Sequence, residues 1–215
     1  MKSLRLLSAS KYIKGYNCLA DCGTDHAKLP IYCVSKGLVK KAYASDNKIG
    51  PITNAINSVN EAGLDSLVKV ILADGLTYLT PEIDVVSILG MGGRLINSIL
   101  EKANLVDVKR LVLIANSENY LLRSFLEDNN WFIETEELIK ENNKFYQLMV
   151  LKQGKMNLSE VEKEFGPFII KQKSKNFIEM ITKLIVKLEI GKRKAKTKKT
   201  IDSINQRIEQ LKGVI

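Results

Sequence analysis

The sequence predicts an α/β protein, in which a doubly wound and mostly parallel sheet is followed by an antiparallel helical hairpin. Over the first 154 residues, short apolar runs alternate with amphipathic segments, as strands and helices do in doubly wound sheets. Two more amphipathic segments follow near the end of the chain, with a Lys-rich run between them. The charge balance changes at the same boundary, which indicates two parts.

The elements of the first part can be placed in order along the chain. Helices are predicted at residues 3–13, 25–36, 51–62, 94–102 and 119–129. Strands are predicted at residues 18–21, 41–46, 68–73, 83–89 and 111–115. An antiparallel pair, 131–139 and 145–151, then closes the sheet. By analogy of fold, this closing hairpin distinguishes the class I methyltransferase version of the Rossmann-like sheet from a plain dinucleotide-binding sheet.

Beyond residue 154 the apolar spacing is that of two short coiled-coil helices. Each segment is too short to be stable alone, so the two are predicted to pack together as a hairpin. A dimerising coiled coil is the alternative, but Gly191 and the short gap at 192–199 favour the hairpin. The apolar positions are Phe177, Ile181, Leu184 and Leu188 in one segment and Ile201, Ile204, Ile208 and Leu211 in the other.

Length, composition and Cys content exclude several classes of protein. The 215 residues, 45% of them hydrophobic, suffice for one α/β core with residues left for an appendage. No apolar run approaches the roughly 20 residues of a membrane span, and residues 1–14 lack the apolar region of a signal peptide. Cys18, Cys22 and Cys33 cannot all pair and lack the spacing of a zinc site. Free thiols, no metal and a cytoplasmic location are therefore expected.

The net charge of +9 is concentrated in the last part of the chain. Residues 1–154 contain 18 Lys and Arg against 17 Asp and Glu, whereas residues 155–215 contain 15 against 7. The net charges are therefore +1 and +8. We predict a domain at 1–154 and a basic helical-hairpin domain at 155–215 that has a polyanionic partner. The alternative is that the Lys residues only keep the helices soluble.

Acidic and Gly residues stand where four predicted strands end. Ligands bind at this edge of doubly wound sheets, because the carboxyl ends of parallel strands meet there. Each position alone is weak evidence, since an acid after a strand is often a helix cap and Gly turns are common. Their arrangement at successive strand ends nevertheless favours a ligand site. The segments are 21–26, Asp46, Asp74 with Gly75, and 90–93.

The turn after the first strand favours S-adenosylmethionine over a dinucleotide. Gly23 lets the backbone approach a ligand, and Asp46, about 20 residues later, can accept hydrogen bonds from ribose hydroxyls. A pyrophosphate requires the full Gly fingerprint, but Asp25 and Ala27 occupy those positions. The Asp25 carboxylate would repel a pyrophosphate and tolerate a positively charged sulfonium. Asp74 is predicted to accept a hydrogen bond from the adenine amino group.

Several segments together form a specific pattern that covers nearly the whole chain, from Arg5 to the C-terminal helices. They are Gly23-Thr24-Asp25-His26-Ala27-Lys28-Leu29-Pro30, Gly50-Pro51, Asp74-Gly75-Leu76, Gly90-Met91-Gly92-Gly93 and Gly166-Pro167-Phe168. This pattern resembles the bacterial tRNA (adenine-22-N1)-methyltransferases. The resemblance implies methyl transfer from S-adenosylmethionine to N1 of an adenine in tRNA.

The resemblance also implies roles for the matching residues. The cofactor-binding residues would be Asp21, Gly23, Asp46, Asp74, Gly75 and Gly90. Cofactor and target base would meet at the loop that contains Met91, Gly92 and Gly93. Asn116 matches an Asn that faces the target amine in related nucleic-acid methyltransferases. The sequence departs from the family here, because Ile114 and Ala115 replace the Gln-Pro that precedes this Asn.

The implied reaction is mainly a matter of alignment, because adenine N1 has an in-plane lone pair and the sulfonium already activates the methyl group. The enzyme must also extract the base from its stack. Asp25 is predicted to stabilise the positive charge that develops on adenine. His26 is predicted to hold the base or accept its amino proton, and helix capping or packing is the alternative role. Asn116 is the third catalytic candidate.

The predicted partner is tRNA, held through phosphate contacts that position RNA without reading its sequence. Arg5, Lys192, Arg193 and Lys194 are the predicted cationic contacts, with plain surface charge as the alternative for Arg5. No sequence feature indicates a membrane or an obligate protein partner, so a monomer is expected. Two other functions stay open: a non-catalytic RNA-binding protein on a degenerate Rossmann-like core, and a methyltransferase with another substrate.

Overall fold

The computed structural model describes residues 3–215; Met1 and Lys2, which begin the predicted 1–154 domain, lie outside the described residues. The strands are β1 (Cys18–Cys22), β2 (Lys41–Asp46), β3 (Val68–Leu72), β4 (Val85–Gly92), β5 (Arg110–Ser117), β6 (Trp131–Glu141) and β7 (Lys144–Gln153). The helices of the sheet part are α1 (Leu4–Ile13), α2 (Lys28–Ser35), α3 (Ile49–Glu61), α4 (Gly93–Lys102) and α5 (Asn119–Asp128). The later helices are α6 (Glu160–Phe165), α7 (Pro167–Gln172), α8 (Lys175–Lys194) and α9 (Lys198–Lys212).

The strands form one sheet in the order β3-β2-β1-β4-β5-β7-β6. The pairs among β1 to β5 are parallel, and β7 is antiparallel to both β5 and β6. This arrangement confirms the predicted doubly wound sheet with a closing hairpin. Because β6 therefore runs in the same direction as β5, the ends of β1 to β6 meet at one edge, which we call the carboxyl edge.

Helices bury both faces of the sheet. On one face, α1, α2 and α3 pack Ile13, Leu29 and Val59 into a single apolar cluster. On the other face, α4 and α5 contribute Ile96 and Leu122 to a second cluster. Because β4 and β5 are covered on both faces, they require the nearly continuous apolar runs seen in the sequence.

The three Cys side chains belong to these apolar clusters. Cys18, Cys22 and Cys33 are free and buried. Burial raises the pKa of each thiol to about 12. The predicted structural, unpaired thiols are therefore confirmed, and their raised pKa makes them poor nucleophiles.

The C-terminal helices pack against the end of the sheet. Phe177 and Ile181 of α8 and Leu211 of α9 share a buried cluster with Leu138 of β6. Asn176 Nδ2 also donates a hydrogen bond of 3.1 Å to Leu138 O. The two long helices are joined by only three residues, 195–197, and share a core, as the predicted hairpin requires. No helix within residues 3–215 is long and apolar enough to span a bilayer.

Three predicted boundaries are wrong. The helix predicted from residue 25 begins at Lys28, because His26 and Ala27 have φ values of 62° and 47°. The fourth strand continues through Gly92 rather than ending at residue 89. The predicted gap at 192–199 is reduced to 195–197, because α8 continues past Gly191 to Lys194 and α9 begins at Lys198. An exposed Gly costs a helix only about 1 kcal/mol and does not end it.

Candidate active site

The turn after β1 is fastened to the end of β2. The backbone N–H groups of Gly23 and Thr24 both donate to Ser45 O, at 2.8 and 2.9 Å. Gly23 has a φ of +81°, and a Cβ at this position would lie 2.1 Å from Met91 Cε. The conformation thus favours Gly, and the turn presents bare backbone to the carboxyl edge.

Asp21 lies in β1, just before this turn. Its side chain is buried, and Ser87 Oγ donates to its Oδ1 at 2.6 Å. Burial raises the pKa of Asp21 to about 6, although hydrogen bonds from Ser87 and Thr24 oppose this shift. Tyr78 lies nearby, where its hydroxyl accepts a hydrogen bond of 2.9 Å from Ser45 Oγ. The Asp21 carboxylate therefore faces its hydrogen-bond donors under the turn.

A cavity of about 70 Å³ opens at the carboxyl edge above this turn. Asp46 Oδ1 accepts a hydrogen bond of 2.9 Å from the Lys48 N–H, which leaves Oδ2 for a ligand. Four predicted cofactor residues line the cavity, and so does Met91, which was predicted to contact substrate. The four are Gly23, Asp46, Asp74 and Gly75. Lining residues that the sequence analysis did not select are Cys22, Asn47, Ala73, Leu95 and Ile99.

The chemistry of this lining suits the nucleoside part of S-adenosylmethionine. Asp46 at the rim supplies an acceptor for ribose hydroxyls, and Leu95 and Ile99 supply an apolar wall for adenine. Asn47 directly follows Asp46, the last residue of β2. Only this position at a strand end could have predicted from the sequence that Asn47 lines the cavity. Leu95 and Ile99 come from α4, and no sequence signal distinguishes them from ordinary core residues.

The end of β4 lies against the end of β5. Asn116 Nδ2 donates to Gly90 O, which joins two residues predicted to act in catalysis and cofactor binding. The register between the strands shifts around Met91. A Cβ on Gly93 would lie 2.5 Å from Glu118 O, so Gly is required where α4 begins. The structure thus brings this loop and Asn116 together.

Glu118 is a polar residue that the sequence analysis did not select. Its φ is 60°, and its carboxylate accepts from Arg94 Nε at 2.6 Å and from the Arg94 N–H at 3.4 Å. The pair lies beside Gly92 and Gly93. The contact between Arg94 and Glu118 therefore holds the start of α4 beside the loop that was predicted to meet the substrate.

His26 and Asp25 follow the turn at the carboxyl edge. His26 Nε2 lies 3.5 Å from Asp25 Oδ1, and His26 Nδ1 lies 3.5 Å from Ser58 Oγ of α3. His26 and Ala27 are consecutive left-handed residues, a conformation that costs non-Gly residues about 1 to 3 kcal/mol each and clusters at functional sites. With this backbone conformation His26 lies outside α2, and its imidazole faces Ser58 of α3.

Arg5 reaches the same edge from the first turn of α1. Its Nε donates to Glu141 Oε2 at 2.7 Å, and its guanidinium lies 4.3 Å from the centroid of the Tyr146 ring. Tyr146 stands one step beyond the register pair Gln147–Ala115. Arg5 is therefore held beside the end of β5.

The basic residues of α8 are not brought to this cavity. Lys192, Arg193 and Lys194 lie in the last turn of the helix, about 25 Å along its axis from the buried Phe177. Cations are favourable at a helix C-terminus. Lys192 Nζ lies 3.9 Å from Glu189 Oε2. These side chains form a separate basic end of the molecule.

Comparisons with known proteins agree with this arrangement. The sequence profile described as tRNA (adenine(22)-N(1))-methyltransferase matches residues 19–213. The Bacillus subtilis protein of that name is 32% identical over 189 residues, which cover 84% of this chain and 79% of the relative.

Two solved structures of similar proteins contain the cofactor or its product. Streptococcus pneumoniae Sp1610 in complex with S-adenosyl-L-methionine has a TM-score of 0.92 and 35% identity, and the match covers 100% of this chain and 99% of that one. M. capricolum TrmK in complex with S-adenosyl-homocysteine has a TM-score of 0.88 and 30% identity, with coverage of 99% and 97%. The chain belongs to the tRNA (adenine(22)-N(1))-methyltransferase family.

Proposed function

We propose that the protein transfers the methyl group of S-adenosylmethionine to N1 of the adenine at position 22 of tRNA. The observation that supports this most strongly is the family match over residues 19–213. The family pattern residues Gly23, Asp74, Gly75 and Met91 line one cavity at the carboxyl edge, together with Asp46. That edge is where doubly wound sheets bind their ligands.

In this proposal the cavity holds the nucleoside part of the cofactor. S-adenosylmethionine, when bound, supplies a methyl group that its positively charged sulfur has already activated. Asp46 Oδ2 accepts from ribose, Asp74 accepts from the adenine amino group, and Gly23 allows close approach of the backbone. Met91 lies over Gly23. Because Met is unbranched, a change of its rotamer would widen the cavity.

Asn116 orients the target base in this proposal. Its Nδ2 donates to Gly90 O, so its Oδ1 is the amide atom left to accept from the adenine 6-amino group. The amino group and N1 share one edge of adenine, so this bond would also fix the direction of N1. Ile114 and Ala115, where the sequence departs from the family, both pair with β7, and β5 continues past Asn116 to Ser117. This regular strand supports the proposed role of Asn116.

Asp25 and His26 act on the charge and position of the base. The Asp25 side chain is 65% exposed, so its carboxylate is available to stabilise the cation that N1-methylation creates. His26 bridges the space between Asp25 and Ser58 and forms a wall against which the extracted base can rest. Arg5 and the loop from Met91 to Gly93 complete the substrate side.

The proposed partner is tRNA, bound at two places. The carboxyl edge receives the target adenine, and the basic end at Lys192, Arg193 and Lys194 contacts phosphates elsewhere on the same molecule. Recognition would then depend on the shape of the RNA. The proposed place of action is the cytoplasm, where tRNA is found.

Methyl incorporation into tRNA tests this function. Total tRNA from cells that lack the modification is incubated with the protein and labelled S-adenosylmethionine, and modified positions are mapped. We expect label at N1 of adenine 22. Label at another position would indicate a methyltransferase with another substrate. Cofactor and tRNA binding without any incorporation would indicate a non-catalytic RNA-binding protein.

A further inference from the structure

A second and much larger cavity, of about 720 Å³, lies on the far side of His26 from Asp25. It is formed by α1, α2 and α3, and Ser58 on α3 lines it together with His26. Its volume is within the range of pockets that hold small ligands. The proposed cofactor cavity shares no lining residue with it.

The lining of this cavity has the chemistry that recognises a nucleotide. Lys28 and Lys36 supply positive charge, and no Asp or Glu of the described chain lines the cavity with them. Tyr32 is half-buried and offers an aromatic face. Ser3 and Ser58 also line the cavity; their hydroxyls donate to Glu141 Oε1 and Asn54 O, both at 2.9 Å, and each hydroxyl oxygen can still accept a hydrogen bond. Cations suit a phosphate, hydroxyls suit a ribose, and an aromatic ring is a platform on which a base of any identity stacks.

The position of the cavity connects it with the substrate site. His26 Nδ1 faces Ser58, while Nε2 faces Asp25 at the carboxyl edge. Ser3, at the start of α1, lines the cavity, and Arg5 of the same turn lies beside the end of β5. His26, against which the proposed function places the extracted base, is thus also part of the wall of this cavity.

We propose that this cavity binds the nucleotide adjacent to the target adenine in the tRNA chain, with its base stacked on Tyr32 and its phosphate between Lys28 and Lys36. The inference rests on the proposed function. An extracted adenine draws its covalently linked neighbour toward the protein, and this cavity is where the neighbour meets cations and an aromatic ring. The adjacent nucleotide thereby adds binding energy whatever its base, and it helps to hold the target adenine at the site.

Kinetics with Tyr32 variants test the proposal. Tyr32→Ala is expected to raise the KM for tRNA about 10-fold or more, because loss of one stacked base costs roughly 1 to 3 kcal/mol. Tyr32→Phe keeps the aromatic face and is expected to stay within about twofold of the wild type. The Kd for S-adenosylmethionine is expected to be unchanged in both, which also shows that the variants fold.

Substrates with an abasic site at position 21 or 23 identify the stacked base. We expect one of these two substrates to raise the KM of the wild type. The same substrate should have little further effect on the KM of Tyr32→Ala, because the abasic site and the Ala substitution remove the same stacking contact. Lys36→Ala is expected to raise the KM severalfold. Lys40→Ala, an exposed Lys just before β2 at the opposite edge, is the matched control.

Two results would overturn the inference alone: an active wild type whose KM is unaffected by Tyr32→Ala, or an abasic penalty that is equally large in wild type and Tyr32→Ala. A wild type that binds cofactor but methylates no tRNA overturns the proposed function, and the inference falls with it. The activity of the wild type therefore distinguishes the two failures.

Discussion

Asp21 shows how one residue links folding to the site. It is 7% exposed, yet it carries a carboxyl group under the turn that presents Gly23. The pKa of about 6 means that burial opposes ionisation more than the hydrogen bonds favour it. A charged Asp21 therefore lowers the stability of the folded protein while it organises the turn, as strained functional groups commonly do.

We expect Asp21→Asn to stabilise the protein at neutral pH. The folded pKa of about 6 lies above the usual value of an unfolded Asp. The stabilisation from protonated Asp21 is therefore complete below pH 4 and is lost as the pH rises through about 6. Replacing the carboxyl group removes a cost of up to about 3 kcal/mol at pH 7.5.

Urea unfolding at pH 4 and pH 7.5 checks this expectation. The gain from Asp21→Asn should be present at pH 7.5 and small at pH 4, whereas Asp65→Asn, at an exposed loop position, should show neither effect. A gain that is the same at both pH values would exclude ionisation of Asp21 as the cause.

Asn116→Ala is expected to lower kcat roughly 10- to 100-fold, because the base loses the acceptor for its amino group. The Kd for S-adenosylmethionine should not change, since Asn116 contacts Gly90 O outside the lining of the small cavity. Asn104→Ala, at an exposed position after α4, is the control. A normal kcat in Asn116→Ala would remove Asn116 from the reaction.

At the residue scale, the sequence predicted which residues lie at the candidate site better than it predicted their backbone conformation. Asp46 and Asp74 follow strands and were identifiable from that position alone. The left-handed backbone of His26 and Ala27 was not identifiable, since no local preference of Ala favours positive φ. The surrounding structure imposes that conformation, and it decides where the imidazole points.

At the scale of elements, a buried ion pair ties the C-terminal helices to the sheet. Arg123 of α5 and Glu136 of β6 are both fully buried. Arg123 Nη2 donates to Glu136 Oε1 at 2.6 Å and to Gln147 Oε1 at 2.8 Å. Its Nη1 donates to Lys163 O at 3.0 Å, and the Phe168 N–H donates to Glu136 Oε2 at 3.1 Å. The network thus joins α5, β6, β7, α6 and α7.

This network could not be predicted from the sequence, because a β-bulge creates it. The register of β6 against β7 shifts between Ile133 and Thr135, so the buried positions change from odd to even numbers along the strand. Glu136 thereby faces the protein interior, as Leu138 does. A strict alternation from Trp131 would have placed Glu136 on the opposite face, with the half-buried Phe132 and Glu134.

We expect Arg123→Met to lower the free energy of unfolding by about 3 to 5 kcal/mol, because it leaves the Glu136 charge buried without its partner. The double variant Arg123→Met, Glu136→Leu should recover much of this loss. Denaturant titration of the single and double variants measures both effects. A double variant that is less stable than Arg123→Met would contradict the assignment of the loss to the unpaired carboxylate.

At the scale of the whole molecule, the candidate active site and the proposed RNA-binding end are connected through β6. The carboxyl edge carries the candidate active site, and α8 packs on the end of β6 at that same edge through Phe177. From there α8 extends to its basic end at Lys194. The division into domains at residue 154 stays a prediction. Residues on both sides of this position share buried apolar clusters.

The excess of positive charge after residue 154 could be predicted from the sequence, because a count of charged residues along the chain is enough to find it. The placement of that charge does not follow from a count. The sequence predicts Lys192, Arg193 and Lys194 in the gap between two helices, whereas they form the last turn of α8. Packing of α8 on α9 and β6 overrides the weak local preference of one Gly. The basic side chains consequently project from the last turn of α8.

The double variant Lys192→Gln, Arg193→Gln is expected to weaken tRNA binding and to reduce the slope of log K against log salt by up to about 2, one for each lost phosphate contact. Lys40→Gln, Lys109→Gln makes the same change of charge at exposed positions before β2 and β5, and should leave the slope unchanged. Binding titrations at several salt concentrations measure the slope. An equal slope in both double variants would remove the end of α8 from the interface.

The most direct test of the proposed reaction is methyl transfer to two tRNA transcripts that differ by one atom at position 22. One carries adenosine, and the other carries 1-deazaadenosine, in which a C–H group replaces N1. We expect one methyl group on the adenosine transcript and none on the 1-deaza transcript, although both bind. Equal methylation of the two transcripts would contradict N1 of adenine 22 as the atom that accepts the methyl group.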